Sequence, residues 1–542
     1  MNIGAGKPGV GRFRAGQVRE TAAGIDAAGE RPFRSAGTGP AREGGYAMRA
    51  RFRWAVLVLA IPALVLLPLP GCTVDDYTLV NSHQVPEWFQ DAKFGVLIHY
   101  GPYTVPAWAP LEEPGDFFQP DFFKHHPYAE WYWNSMQIEG SPTRQHHLET
   151  YGEDFSYYDF GPTFDVAAQG ADLEEWAEVF EDAGVRYVIL TSKHHDGYCL
   201  WPSEIENPLR PGWRCGRDVV GELSEAVREH GMRMGLYYSA GLDWTFTEGS
   251  PITNVFDLMP HIPQTPEFTA YAEGHLRELI ERYRPDVLWG DIGIPAALDR
   301  WALWADYYRA VPEGALNDRW MQNPLEQLYS MSIWDGSDEI PPFVHFDFFT
   351  PEYRVMDKIR KLKWETCRGI GWSFAYNRQE DVHTEHLLSA EELVESLVDV
   401  VSKNGNLLLG IGPRSDGSIP ETQLEVLKGM GEWLRVNGDA VYGTRPWVRA
   451  EGSADVGAVR VRFTQREGEG RLFAVLLDRP ERRRVVLQGL KAEAGTTVRL
   501  LGSDNPLRWR QRGSDLEVVL PAGMPESAAY ALEIAPVPTS VP

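Results

Sequence analysis

Cysteine is scarce in this chain: Cys72, Cys199, Cys215 and Cys367 are the only four in 542 residues. None forms a Cys-x-x-Cys pair, which excludes a zinc ribbon or a thioredoxin-like redox motif. Positive charge is short as well. A formal net charge of −25 argues against a nucleic-acid partner, which needs basic stripes. Repeats are absent, and the one uncharged apolar run, 54–67, is too short for an ordinary membrane-spanning helix. Large rings are abundant instead, with 19 Trp, 22 Tyr and 23 Phe. Many must fill cores, but aromatic planes also suit a carbohydrate site, where sugar C–H faces stack on them.

The tract 1–47 is rich in Gly, Ala and Arg. It reads as disordered, or as upstream sequence translated from a wrongly chosen start, with Met48 the real one. Arg49, Arg51 and Arg53 then form a basic region, the apolar run follows, and Leu69-Pro70-Gly71-Cys72 closes it. This is the pattern of a secretory signal peptide. Its end resembles a bacterial lipoprotein signal, in which Cys72 becomes the lipidated N-terminus; an uncleaved anchor is the alternative. Either places the folded part outside the cytoplasm, in the periplasm or at the cell surface, tethered to a membrane. With Cys72 modified, at most one disulfide remains possible.

A polar linker is expected at 73–83. Strand-like runs then fall at 94–99, 186–191, 233–238, 286–289, 315–317, 344–348, 369–374 and 406–411. Helices between them carry end signals: Gly184 after 173–182, Gly231 after 219–229, Pro285 after 266–283, and Ser389 with Glu392 as a capping box. Eight strands alternating with helices predict a (β/α)8-like TIM barrel over 84–440. Short strands split by Gly, Pro and Asp turns predict an antiparallel β-sandwich over 441–542.

Four strand ends carry chemistry. In Arg284-Pro-Asp-Val-Leu-Trp-Gly-Asp-Ile-Gly-Ile-Pro295, residues Val287, Trp289 and Asp291 share one strand face. A carboxylate there lies on the active-site rim of a barrel, or else caps the turn. His99 ends the run from Lys93, as a structural or a ligand histidine. Lys193-His194-His195-Asp196-Gly197 offers metal-ligand types, but adjacent residues of an extended chain point to opposite sides. As neutral rings at a strand end they suit hydrogen bonding to hydroxyls better; the alternative is that one of the pair orients the loop while only the other meets ligand. Asn317-Asp-Arg-Trp320 offers a guanidinium fork, or a surface ion pair.

These and further motifs resemble the retaining α-L-fucosidases, glycoside hydrolase family 29. They are KFGVLIHYGPYTVPAW, EWYWNSM, YVILTSKHHDGYCLW, GLYYSAGLDW, PDVLWGDIGIP, NDRW, FFTPEY, WSFAYN and NLLLGIGPRSDGSIP, in that order from Lys93. The resemblance implies that Asp291 is the nucleophile and Glu352 the general acid/base, with Glu365 and Asp347 as fallbacks for the latter. It implies that His99, Glu130, Trp131, His194, His195, Tyr237 and Arg319 hold the sugar, that Phe374 lines the pocket, and that no metal or cofactor takes part. A fucose methyl group needs an apolar wall, for which Trp131, Trp289 and Phe374 are the candidates. Gly290 and Ile294 depart from frequent larger residues around the nucleophile and predict a roomier site; Gly410 and Ala375 also depart from the pattern. The partner implied is a fucosylated glycan. A non-catalytic carbohydrate-binding lipoprotein, or a glycosidase for a related sugar such as α-galactose, are the competing readings.

Overall fold

The computed structural model describes residues 74–541 apart from 114, 116 and 335. The segment 1–73, with its leader and Cys72, lies outside the described residues. The linker expectation is corrected where it can be seen. Val74–Ser82 is a helix that packs on the helix Arg300–Ala310, with Val80 fully buried in the main core.

Seven parallel strands form the first sheet: β1 (Phe94–Ile98), β2 (Tyr187–Lys193), β3 (Arg233–Tyr238), β4 (Val287–Gly290), β5 (Ala315–Leu316), β6 (Trp364–Gly369) and β7 (Gly405–Ile411). Their order is β5-β4-β3-β2-β1-β7-β6. Apart from single half-buried residues in β3 and β6, the strands are buried along their length, as expected for a parallel sheet covered on both faces. The gap between β5 and β6 is spanned by the segment 347–352. Asp347 N donates to Leu316 O at 2.8 Å, Glu365 N to Phe349 O at 2.9 Å and Tyr353 N to Cys367 O at 3.0 Å.

The barrel therefore has eight staves, of which the sixth is a run of isolated parallel bridges. It lies downstream of the expected 344–348, and Pro351 within it has no N–H to extend a ladder. The seventh stave is β6, not 369–374. Glu365 and Arg368 disguise β6 in the sequence, and 370–374 is irregular loop.

Helix ends follow the sequence signals. Asp172 accepts from Glu175 N at 3.1 Å, and Ser389 and Glu392 close a capping box. Leu97, Tyr187, Ile189, Tyr237, Val287, Trp289, Cys367 and Leu408 pack inside the barrel. A second, larger core fills the space between the strands and the outer helices.

The expected sandwich takes the form of one eight-stranded antiparallel sheet over its own core, with a two-stranded ribbon beside it. Its strands are β8 (Arg445–Ala454), β9 (Val459–Arg466), β10 (Arg471–Leu476), β11 (Arg484–Leu487), β12 (Leu490–Lys491), β13 (Thr497–Leu500), β14 (Arg508–Arg512), β15 (Asp515–Val519), β16 (Tyr530–Ala535) and β17 (Thr539–Ser540). The sheet runs β13-β16-β10-β9-β8-β11-β15-β14. Leu507 N donates to Val498 O at 2.7 Å, which draws its two edges together. The barrel core continues into this domain through Phe473, Val475 and Ala531, and Trp433 Nε1 donates to Ala529 O at 2.9 Å. Cys199, Cys215 and Cys367 are buried free thiols, although Cys215 N does meet Cys199 O at 2.8 Å.

Candidate active site

The C-terminal strand ends bring the predicted polar residues together. Asp291 follows β4, Arg319 follows β5, and Glu352 ends the irregular sixth stave. Arg319 reaches both carboxylates: Nη1 donates to Asp291 Oδ1 at 3.0 Å and Nη2 to Glu352 Oε2 at 3.2 Å. The surface ion-pair reading of this arginine is thereby excluded. Its fork is itself held, since Nε donates to Thr350 Oγ1 at 2.9 Å and Thr350 Oγ1 donates to Asp318 Oδ1 at 2.7 Å. Asn317 completes the motif by exchanging bonds with Gly290 N and O at 2.8 and 2.9 Å. Three consecutive residues thus fix the strand that carries Asp291, the sixth stave and the charge between them.

Asp291 also accepts from the Tyr237 hydroxyl at 2.9 Å through Oδ2, and His195 Nε2 stands 3.7 Å from that oxygen. Both carboxylates are followed by a non-glycine residue with left-handed backbone, Ile292 at φ 52° and Tyr353 at φ 50°. For a β-branched residue this is a strained geometry, of the kind that collects at functional sites.

The expectation for the histidine pair is corrected. β2 ends at Lys193 after a register irregularity, the chain is no longer extended, and the rings of His194 and His195 lie 4.1 Å apart. His195 Nδ1 pairs with Ser239 Oγ at 2.7 Å, whereas His194 Nδ1 and His99 Nδ1 are buried without a protein partner. Burial pushes His99 down to about 3 despite the Asp291 charge, His195 to about 4, and His194 well below the usual imidazole range. The three are neutral rings near pH 7, suited to hydrogen bonding with hydroxyls. Beneath them Lys193 Nζ pairs with Asp243 Oδ2 at 2.9 Å, both fully buried.

Glu130 accepts from Ala375 N at 3.0 Å and Ser373 Oγ at 3.3 Å. Burial pushes its carboxyl up to about 7 against those bonds. Trp131 stacks on Phe123 at 4.6 Å and meets His195 edge-on at 5.1 Å. Phe374 lies 5.3 Å from His99. Trp289 is placed lower: its indole stacks under Tyr237 at 5.4 Å and under the Arg319 guanidinium at 4.7 Å. It supports those two groups from below, and Trp131 and Phe374 remain the candidates for the apolar wall.

Gly290 adds no room, because a Cβ there would lie 2.5 Å from the Trp320 ring. Ile294 is packed in the outer core, and Gly410 leaves space for Phe374, 2.8 Å from where its Cβ would be.

Neither fallback for the acid lies at the site. Glu365 is sealed in the barrel, accepting from Trp289 Nε1 at 3.0 Å and Tyr187 Oη at 2.5 Å. Asp347 sits at the other end of the sixth stave, with His83 and His345. These three are the one group among the described residues whose ligand atoms lie within 4.8 Å of one another, as a metal would need. Their atoms already serve a hydrogen-bond network: His83 Nδ1 to Asp347 Oδ1 at 3.0 Å, and Tyr308 Oη to His345 Nε2 at 2.7 Å and Asp347 Oδ2 at 2.9 Å. Sequence reasoning missed Tyr128, whose hydroxyl donates to Glu352 Oε1 at 3.0 Å. It missed Asp318, Thr350 and Asp243 too. The last three stand inside NDRW, FFTPEY and GLYYSAGLDW with no role read for them, and Tyr128 stands two residues before EWYWNSM.

The family model "Alpha-L-fucosidase" matches residues 74–439, and "Alpha-L-fucosidase C-terminal domain" matches 454–535. A Thermotoga maritima α-L-fucosidase solved with a mechanism-based inhibitor is 42% identical, with 84% of this chain and 98% of that one covered and a TM-score of 0.72. The rat tissue α-L-fucosidase is 32% identical over 510 residues, 89% of this chain and 97% of the relative. Human plasma α-L-fucosidase is 34% identical over 448 residues, 79% and 84% of the two chains. The chain belongs to the α-L-fucosidase family and is a glycoside hydrolase.

Proposed function

We propose that this α-L-fucosidase removes terminal α-L-fucosyl residues by double displacement with net retention, Asp291 attacking and Glu352 moving the proton. The observation that carries the reading is the Arg319 fork, with one carboxylate on each terminal nitrogen. Two carboxyls on one guanidinium flank the same small space. That is compatible with the roughly 5–5.5 Å of a retaining pair.

In the first step Asp291 bonds to the anomeric carbon while Glu352, protonated, gives its proton to the departing oxygen. Forming the ester removes the Asp291 charge. Glu352, a carboxylate once it has given up its proton, then deprotonates the attacking water in the second step. The neutral rings of His99, His194 and His195, with Glu130, supply hydrogen bonds to the sugar hydroxyls. Trp131 and Phe374 face the methyl group. The leader read at 48–72 supports export, with a membrane tether through lipidated Cys72.

The test is hydrolysis of an aryl α-L-fucoside beside the α-galactoside, with Asp291→Gly as control and the first-formed anomer read by NMR. α-L-Fucose released first, and lost in the variant, is expected; the β-anomer first would sink the double-displacement reading. Metabolic labelling with a fatty acid, lost in Cys72→Ser, tests the tether.

A further inference from the structure

The second domain runs against the charge of the chain. Residues 441–542 contain fifteen Arg or Lys against twelve Asp or Glu, within a chain of net −25. The excess is concentrated on one sheet face. In the register β11-β15-β14, Arg484 pairs with Val519 and Val519 with Arg508, while Glu517 lies opposite Arg510. By the two-residue alternation of strands, Arg484, Arg508, Arg510 and Arg512 all stand on that face.

Two carboxylates of β15 share the face: Asp515, opposite Arg512 and accepting from Gly489 N at 3.0 Å, and Glu517, which lies under three of the arginines, Arg510 Nε at 2.6 Å, Arg512 Nη1 at 3.1 Å and Arg484 Nη1 at 4.0 Å. Their side chains remain 59, 55 and 68% exposed. Arg508 is exposed, and among the described residues no hydrogen bond or ion pair holds it. Arg482 and Arg483 stand immediately before β11. Guanidiniums on alternate residues repeat at about 6.8 Å along β14, and those two strands apart at about 9.6 Å.

We propose that this arginine face binds an acidic polysaccharide, a glycan carrying sulfate esters or carboxylates, and so holds the enzyme on a charged glycan while the barrel works on its fucosyl ends. A planar fork suits both anions, which it meets in pairs of parallel bonds. The face is a straight row without large exposed apolar side chains, only half-buried Val486 and Val519 lying between the arginines. That favours an extended polyanion over a lipid surface, where binding scales with inserted apolar area.

The experiment measures binding of the full chain to dextran sulfate, polygalacturonate and neutral dextran. Vesicles of phosphatidylcholine and phosphatidylglycerol in equal parts form a further arm. The variant is Arg484→Ala/Arg508→Ala/Arg512→Ala, which leaves Arg510 on Glu517; the corresponding triple Lys variant keeps the charge. Wild type is expected to bind one or both polyanions, releasing with salt, and which one it binds identifies sulfate or carboxylate as the partner group. The alanine variant should bind at least about tenfold more weakly, and the lysine variant should recover part of the loss. Turnover of a small aryl fucoside should stay unchanged in both. Equal binding by wild type and alanine variant, binding to vesicles alone, or no binding to either polyanion overturns the proposal.

Discussion

Tyr128 donates its hydroxyl proton to Glu352 Oε1 at 3.0 Å, so the carboxyl proposed to move the proton is gripped from the side opposite Arg319. Removing that bond frees the Glu352 side chain without altering its charge. Tyr128→Phe should lower kcat/KM roughly 10- to 150-fold, the equivalent of about 1.5–3 kcal/mol for a hydrogen bond to a charged group. The loss should be larger for natural glycans than for activated aryl fucosides. Parallel losses on both would show that Tyr128 shapes the pocket and does not position the acid.

Glu352→Ala separates the steps by leaving group. Poor leaving groups need protonation and should lose about 10²–10⁴ in rate, whereas a dinitrophenyl fucoside should keep near-normal fucosylation. A Brønsted plot that stays flat in the variant removes Glu352 from the acid role.

Lys193 and Asp243 form a fully buried ion pair under the histidine loop, and Asp243 Oδ1 also accepts from Thr245. Lys193→Met leaves an uncompensated carboxylate and should cost about 3–5 kcal/mol. The denaturation midpoint checks this. A smaller cost in the double variant Lys193→Met/Asp243→Leu would assign the loss to the stranded charge.

His83 gives a pH signature to the N-terminal helix. One ring nitrogen meets Asp347 Oδ1 and the other the Pro312 carbonyl at 3.2 Å, an arrangement that only the doubly protonated ring satisfies. Burial opposes the charge, but Asp347 and the carbonyl outweigh it, and the His83 pKa is raised. Tyr308 stacks on the ring at 3.7 Å, and His345, pushed down to about 4 by burial, adds no charge near pH 7. A raised folded pKa means stability that is complete below about 6.5 and lost as pH rises through the folded value. The melting-temperature gap between wild type and His83→Gln should therefore narrow from about pH 6 to about pH 9. A constant gap would assign the contact to packing.

The regular parts of the barrel were legible because their physics is local. Continuous apolar runs marked β1, β2 and β7, and Gly184 and Gly231 marked helix ends. The sixth and seventh staves were not, because long-range closure makes a bridged stave of 347–352 despite Pro351, and a strand of β6 despite its polar residues. At the site, the motif residues come together around Asp291 and Arg319. The two histidines could not be placed by alternation, because that rule ends where the strand ends. Thr350 and Asp318 were invisible for another reason: what they do is hold Arg319, and spacing carries no trace of it.

Asp291 ends a strand registered on both sides, by four residue pairs to β3 and two to β5. Glu352 rides on a stave attached at isolated bridges. Insertions or deletions in the loop 353–362 can therefore shift Glu352, the proposed proton donor, without re-registering the sheet. Drift among relatives should accumulate there, with the counterpart of Asp291 staying at one aligned position while that of Glu352 wanders. Grafting that loop is accordingly the gentlest way to change which leaving groups the enzyme accepts.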